Sequence, residues 1–360
     1  MDPARRWVSQ GDGFAGTVEG VLPGPCRLEG WPAGVEVDLG RWRGCLLGGA
    51  VGDALGRPAE GRDRRWVAEE YGRLVDFQPW WGWRSGPVGT VTDDTQLTML
   101  LAGSLVACGG VDLGDVSARL VAWLADARGA GVATMAAVGR LAGGVGWVES
   151  GEDSDGNGAA MRVAPVGLVY SHDVDELRRA AVLSSFPTHR GRCGLVGTVA
   201  QAVAVALAAA TPAGSLDPWS FVGTVRDAIS DLYDPGVIER GPAGRRVTVS
   251  EVIGRVPGLL GEAPEVVFDE FFNGALLTET LPCAFWCFLD SPDDPERVIA
   301  TAVSGGRDAD TVAAMAGSLA GAYCGVDALP GRWRGDVEYA EHIDELSVRL
   351  AGLAGRLRSR

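Results

Sequence analysis

From Arg41 onward, apolar and small residues return at intervals of three and four in block after block, with clusters of Gly, Pro and Asp between the blocks. The spacing predicts helices near 42–56, 94–108, 115–127, 131–143, 159–171 and 173–184. It predicts a second series near 191–210, 217–233, 273–288, 294–304, 309–324 and 338–355. Alternation with a period of two is nearly absent, and Arg245–Val249 and Glu265–Phe268 are the short strand candidates. The expected fold is all-α. Residues 1–40 are rich in Gly, Pro and acids without a sustained helical period, so they read as an irregular extension before a domain spanning 41–360.

Two of the blocks have a face almost without side-chain volume. Gly317 and Gly321 sit four apart beside Ala313, Ala314 and Ala320, and Gly44, Gly48, Gly49 and Gly52 repeat the style. Helices with such faces can pack backbone to backbone. The run Leu195–Ala213 is mostly Ala and Val but holds Gln201 and Pro212, which suits a core helix better than a membrane span.

Charge narrows the function classes. The formal net charge is -15, and the basic residues, all Arg, are scattered among acids, so no basic stripe is available for nucleic acid and anionic membranes are disfavoured. Seven Cys, an odd number, do not suggest a disulfide framework, and no apolar segment resembling a leader opens the chain; a cytoplasmic location is expected. Cys283 and Cys287 share a helix face without a second pair at zinc spacing, so they read as small buried hydrophobes.

Candidate chemistry lies in four segments. Thr92-Asp93-Asp94-Thr95 opens an apolar helix, and two adjacent carboxylates between two hydroxyls exceed what an N-cap requires. Asp308-Ala309-Asp310-Thr311 repeats the design after Gly305-Gly306-Arg307. Oxygen donors concentrated at two helix starts suit hard divalent cations, which would offset the carboxylate repulsion. Gly52-Asp53-Ala54-Leu55-Gly56-Arg57-Pro58-Ala59-Glu60 ends a tightly packed helix with an acid after a proline. Asp153-Ser154-Asp155-Gly156-Asn157-Gly158-Ala159-Ala160-Met161-Arg162 is a polar turn leading into a small-residue helix, where main-chain amides can cradle a phosphate.

In this order the four segments resemble the ADP-ribosylglycohydrolase family, over roughly residues 41–325. The resemblance rests on GCLLGGAVGDALGRPAE, GTVTDDTQL, GNGAAMRVAPVGL, the step Thr188-His189-Arg190, LPCAFWCFLDSPDD and GGRDADTVAAMAGSLAGAYCG. It implies a compact orthogonal helix bundle with a two-metal cleft, Mg or Mn, that binds ADP-ribose. Matching positions imply Thr92, Asp93, Asp94, Asp308, Asp310 and Thr311 as metal ligands, with Glu60, Asp93 and Asp308 at the catalytic centre. Glu60 is expected to orient or deprotonate the attacking water. Ser154, Asp155, Gly156, Asn157, Gly158, Ala159, Ala160 and Met161 are implied as the diphosphate cradle, and His189 as a substrate contact.

The reaction implied is hydrolysis at C1 of the distal ribose of an ADP-ribosylated protein side chain, such as arginine. The same chemistry on a small ADP-ribosyl or ribosyl conjugate, and a non-catalytic ADP-ribose binder, are the alternatives. Residues 1–40 and the aromatic run Trp80-Trp81-Gly82-Trp83 depart from the family pattern and stand where they could reshape the cleft mouth.

Overall fold

The computed structural model describes residues 24–26, 28, 30–34, 36–79, 86–240 and 244–359. The aromatic run at 80–83 and most of the N-terminal extension lie outside them. The described residues form seventeen α-helices: α1 (Leu39–Gly56), α2 (Arg64–Tyr71), α3 (Asp93–Cys108), α4 (Leu113–Trp123), α5 (Val132–Ala142), α6 (Trp147–Ser150), α7 (Ala164–Val169), α8 (Val174–Ser185) and α9 (Arg192–Ala210). The series continues with α10 (Pro218–Ala228), α11 (Val249–Arg255), α12 (Pro264–Phe271), α13 (Leu277–Asp290), α14 (Pro295–Ser304), α15 (Ala309–Cys324), α16 (Gly331–Asp336) and α17 (Ala340–Arg358). The all-α expectation holds.

Helix α15 is the centre. Every residue of it except Cys324 is buried, and α1, α9, α13 and α14 pack around it. Its partnership with α1 is the closest in the fold, and glycines make it possible. A Cβ on Gly44, Gly48 or Gly52 would fall closer than 3.0 Å to the carbonyl oxygens of Gly321, Gly317 and Ala313 respectively. A Cβ on Gly56 would press equally on the backbone of Ala309 and Asp310. The pairing runs antiparallel, so the end of α1 meets the start of α15. Pro58, in the 3-10 turn Arg57–Ala59, then takes the chain out of the helix.

Where the pattern and the structure differ, local causes are visible. Glu265–Phe268 lies in α12, because Val267, Phe268 and Phe271 form a buried face with helical spacing and Pro264 starts the helix. Arg245–Val249 contributes only β2 (Arg246–Val247), paired antiparallel with β1 (Val237–Ile238), and Val249 already begins α11. The block expected from 273 starts at Leu277, because Phe272 and Asn273 take left-handed φ of 76° and 49°. The block expected from 159 is a series of turns up to Arg162, and helix α7 opens at Ala164 with Pro165 in its first turn. The short helices α2, α6, α11, α12 and α16 went unseen, too brief for a sustained period.

The apolar helix α9 is buried within the fold, as are Cys283 and Cys287 on α13. The described part of the N-terminal extension docks on and beside α8. The Cys26 amide donates to Asp175 (2.7 Å), Arg178 donates to the Gly24 carbonyl (2.9 Å), and Trp31 Nε1 donates to the Ser171 carbonyl (3.0 Å).

The glycine contact generates a stability prediction. Gly48→Ala should destabilise the protein by about 1–3 kcal/mol or more, since the new methyl meets backbone that cannot rotate away. Gly139→Ala, on α5 with open space around it, should stabilise by about 0.4–1 kcal/mol. Urea midpoints for the two variants check the contrast, and equal effects would contradict the close packing.

Candidate active site

The acidic centre is assembled from the end of α1 and the starts of α3 and α15. Asp53, in the last turn of α1, is fully buried. Its carboxylate accepts from Thr92 Oγ1 (2.7 Å), Thr95 Oγ1 (2.6 Å) and the main-chain amides of both threonines. Thr92 is the N-cap of α3, and Asp93 and Asp94 follow in its first turn. Across from them, Asp308 is the N-cap residue of α15 and Asp310 lies in the first turn. One carboxylate oxygen from each of Asp53, Asp94 and Asp310 lies within 4.8 Å of the other two. Thr311 Oγ1 donates to Asp94 Oδ2 at 3.4 Å. Of the six expected metal ligands, Asp93, Asp94, Asp308, Asp310 and Thr311 line one cleft, whereas Thr92 is not among its lining residues and its hydroxyl donates to Asp53.

Asp53 is not among the expected site residues, although it shares a segment with Glu60. A signal was present: a lone acid between Gly52 and Ala54 in a helix of small and apolar residues, where burying a charge is costly unless it is partnered.

Electrostatics makes the cluster unstable on its own. Burial pushes the Asp53 carboxyl up to about 6 and Asp308 up to about 7, with Asp310 adding repulsion to each. Burial also raises Asp93 and Asp94 well above the ordinary range, reinforced by their neighbouring acids. Asp310 is raised by burial too, with Arg57, 3.8 Å away, pulling the other way. Asp94 Oδ1 is buried without a hydrogen-bond partner. An unpartnered carboxylate oxygen among mutually repelling acids fits a divalent cation, and the all-oxygen donor set suits a hard one.

A cleft of about 270 Å³ lies above these acids. Its other wall is the loop from Ser154 to Met161, in which each residue has a distinct position. Ser154, Gly156, Asn157, Gly158 and Met161 line the cleft. The Asn157 amide donates to the Ala275 carbonyl, and its side chain donates to Thr280 and to Asp308, so it braces the acidic centre. Asp155 faces away from the cleft, its carboxylate accepting from the amides of Cys193 and Gly194 at the start of α9. Ala159 and Ala160 are buried behind the wall.

Gly158 is small for a reason: a Cβ there would come within 2.7 Å of His189 Cε1. His189 is buried, its Nδ1 2.9 Å from Thr188 Oγ1, which also accepts from Arg162 at 2.6 Å. Burial and the Arg162 charge push His189 down to about 3, so the ring that lines the cleft is neutral.

Glu60 stands at the cleft edge, ion-paired with Arg57. It also borders two surface grooves, one lined by Trp66, Tyr71 and Gln78 and the other by Leu124, Ala127 and Met135. Gly129, Gly131, Val132, Ala133, Thr134 and Ala275 also line the cleft, and no sequence motif marks them. The described residues of the extension are not among those lining it.

Comparison with known proteins accords with this geometry. A family model described as ADP-ribosylglycohydrolase matches residues 36–359. An uncharacterized protein of Archaeoglobus fulgidus is 32% identical, covering 88% of this chain and 98% of its own. The ADP-ribosylhydrolase ARH3 of Homo sapiens is 31% identical over 88% of this chain and 94% of its own. The ADP-ribosylarginine hydrolase Tri1 of Pseudomonas putida is 28% identical, over 88% and 79%. A solved structure titled ADP-ribosylglycohydrolase-related protein complex superposes with a TM-score of 0.67 at 30% identity, covering 88% of this chain and 98% of that one.

The raised carboxyls generate a pH prediction. Between the unfolded value of 3.8 and folded values of about 6 and 7, the native state binds more protons than the unfolded state. Stability of the metal-free protein should therefore fall as pH rises through that window. Added Mn²⁺ should raise Tm more at pH 7.5 than at pH 5, because the cation competes with protons for the same oxygens. Thermal scans with chelator and with Mn²⁺ measure both trends; an increment that is larger at pH 5 would contradict the assignment.

Proposed function

The chain belongs to the ADP-ribosylglycohydrolase family, and from that premise we propose that it is a metal-dependent hydrolase removing ADP-ribose from a modified protein side chain such as arginine. That it is a glycohydrolase follows from the family itself. The observation that carries the finer reading is the convergence of buried carboxylates from α1, α3 and α15 beneath a cleft with a glycine-rich wall. A side-chain substrate is favoured because the cleft opens into surface grooves at Glu60, leaving room for an aglycone attached to a larger molecule. The name of the Tri1 relative points the same way. Seven free thiols suit a reducing compartment such as the cytoplasm.

Asp93, Asp94, Asp308, Asp310 and Thr311 would hold two divalent cations, Mg²⁺ or Mn²⁺, which supply charge neutralisation and Lewis acidity toward the ribose hydroxyls and a water. Ser154, Gly156, Asn157, Gly158 and Met161 seat the diphosphate, and Gly158 leaves space for it beside the neutral His189 ring. Asn157 holds Asp308 in place. Glu60, oriented by Arg57, accepts a proton from water as the water oxygen bonds to C1. The bond from C1 to the aglycone breaks with its electron pair passing to the leaving atom, which takes up a proton, and ADP-ribose departs.

Two tests follow. Incubation with Mg²⁺ and a panel of conjugates, on arginine, on serine and on small nucleosides, should release free ADP-ribose from the arginine conjugate. Release from the small conjugates alone would replace the protein substrate with a metabolite, and binding without release would make the protein a reader of ADP-ribose. Glu60→Gln should lower kcat by about 10²–10⁴ while ADP-ribose affinity measured by calorimetry changes far less; unaltered turnover would remove Glu60 from the mechanism.

A further inference from the structure

We infer that Asp53 is the positioning residue of the acidic centre: reaching across from α1, its carboxylate caps the first turn of α3 and so aims Asp93 and Asp94 into the cleft. The inference rests on the metal-dependent reading above. At an ordinary helix start, the N-cap side chain takes an amide of the first turn, and the third residue's side chain reaches back to the N-cap amide. In α3 these positions are Thr92 and Thr95, and both amides go to Asp53. The Thr92 amide lies 2.9 Å from Oδ2 and 3.1 Å from Oδ1, and the Thr95 amide lies 3.1 Å from Oδ2. The two hydroxyls add bonds of 2.7 and 2.6 Å. One carboxylate from another helix thus performs both halves of a capping box.

The division of labour follows from lone pairs. A carboxylate offers about four acceptor sites, and those of Asp53 are taken by threonine donors. Asp94 Oδ1, by contrast, is buried without a partner. Asp53 is therefore a poor direct ligand in spite of its closeness to Asp94 and Asp310, while Asp94 keeps an open oxygen. The Thr92 hydroxyl accepts from the Asp94 amide at 3.4 Å and Asp53 takes the amides of Thr92 and Thr95, so neither the Asp93 nor the Asp94 carboxylate is used to cap α3.

The position of Asp53 is itself dictated by packing. Its neighbours Gly52 and Gly56 press on the backbone of Ala313, Ala309 and Asp310. The same turn of α1 therefore grips the start of α3 with a side chain and the start of α15 with its backbone. That turn sets the separation between the Asp94 and Asp310 carboxylates.

Calorimetric Mn²⁺ affinity, with the Tm of the metal-free protein followed separately, tests the assignment. Asp53→Asn should weaken Mn²⁺ binding by about 10–100-fold, the usual cost of removing a group that orients a ligand. Thr95→Val, which removes one hydroxyl bond to Asp53, should weaken it by about 10-fold, with Thr95→Ser retaining wild-type affinity. The double variant Asp53→Asn/Thr95→Val should bind no more weakly than Asp53→Asn alone, because both changes break one linkage.

Fully additive losses would make Asp53 a direct ligand and overturn the inference. A lowered Tm with unchanged Mn²⁺ affinity would reduce Asp53 to a structural contact and overturn it too. If Asp53→Asn does not fold, the Thr95 pair decides: loss in Thr95→Val with retention in Thr95→Ser supports the linkage, and unchanged affinity in Thr95→Val overturns it. Wild-type protein that takes up no Mn²⁺ would defeat the metal reading itself, whereas wild-type uptake with unaffected variants defeats only the role of Asp53.

Discussion

Helices α1 and α15 approach until backbone meets backbone, and the acidic centre depends on that approach. Glycine or alanine at each step of the contact lets the last turn of α1 lie against the first turn of α15. Dispersion between close-packed atoms is individually weak, but a long contact adds many such terms. The same contact also fixes the register. A slip of one turn would carry Asp53 about 5.4 Å away from the start of α3.

What this rigidity holds together is electrostatically unfavourable. Five carboxylates from three helix ends share a buried volume, and burial raises each of them before mutual repulsion is added. The helix N-termini of α3 and α15 offer some relief, of roughly 0.3–1 kcal/mol per charge at exposed sites. Arg57 offsets part of the charge near Asp310. The remainder would favour cation uptake, and on the proposed metal reading the repulsion among the acids and the affinity for a cation have one origin. Tight scaffold and charged centre therefore imply each other: a looser contact would let the acids separate and hydrate.

Some of the candidate site is legible in the sequence. The pairs Asp93-Asp94 and Asp308-Asp310 each stand at a glycine or threonine turn before an apolar helix, and capping needs only one of the two acids. His189 and the loop from Ser154 were legible only through likeness to a family, since a histidine after a threonine and a polar turn have many ordinary explanations. Within that loop the sequence could not assign facing. Asp155 turns away to cap α9, while Asn157 turns inward to hold Asp308. Asp53 stands out in the sequence only as a lone acid in a glycine-rich helix, and which donors it meets has no periodic signature.

Local pattern carried the helical class, most of the long helices and the two glycine-faced segments, because a period of 3.6 and the absence of side chains are local properties. It also carried the concentration of oxygen-bearing side chains at two helix starts. Only the tertiary structure decided that the two glycine faces are partners of each other and that the ends of α1, α3 and α15 coincide. It alone decided that Asp53 spends its oxygens on α3 while Asp94 keeps one open. Those outcomes turn on which lone pair meets which donor across 39 or 42 residues of chain, and no local pattern encodes such a meeting.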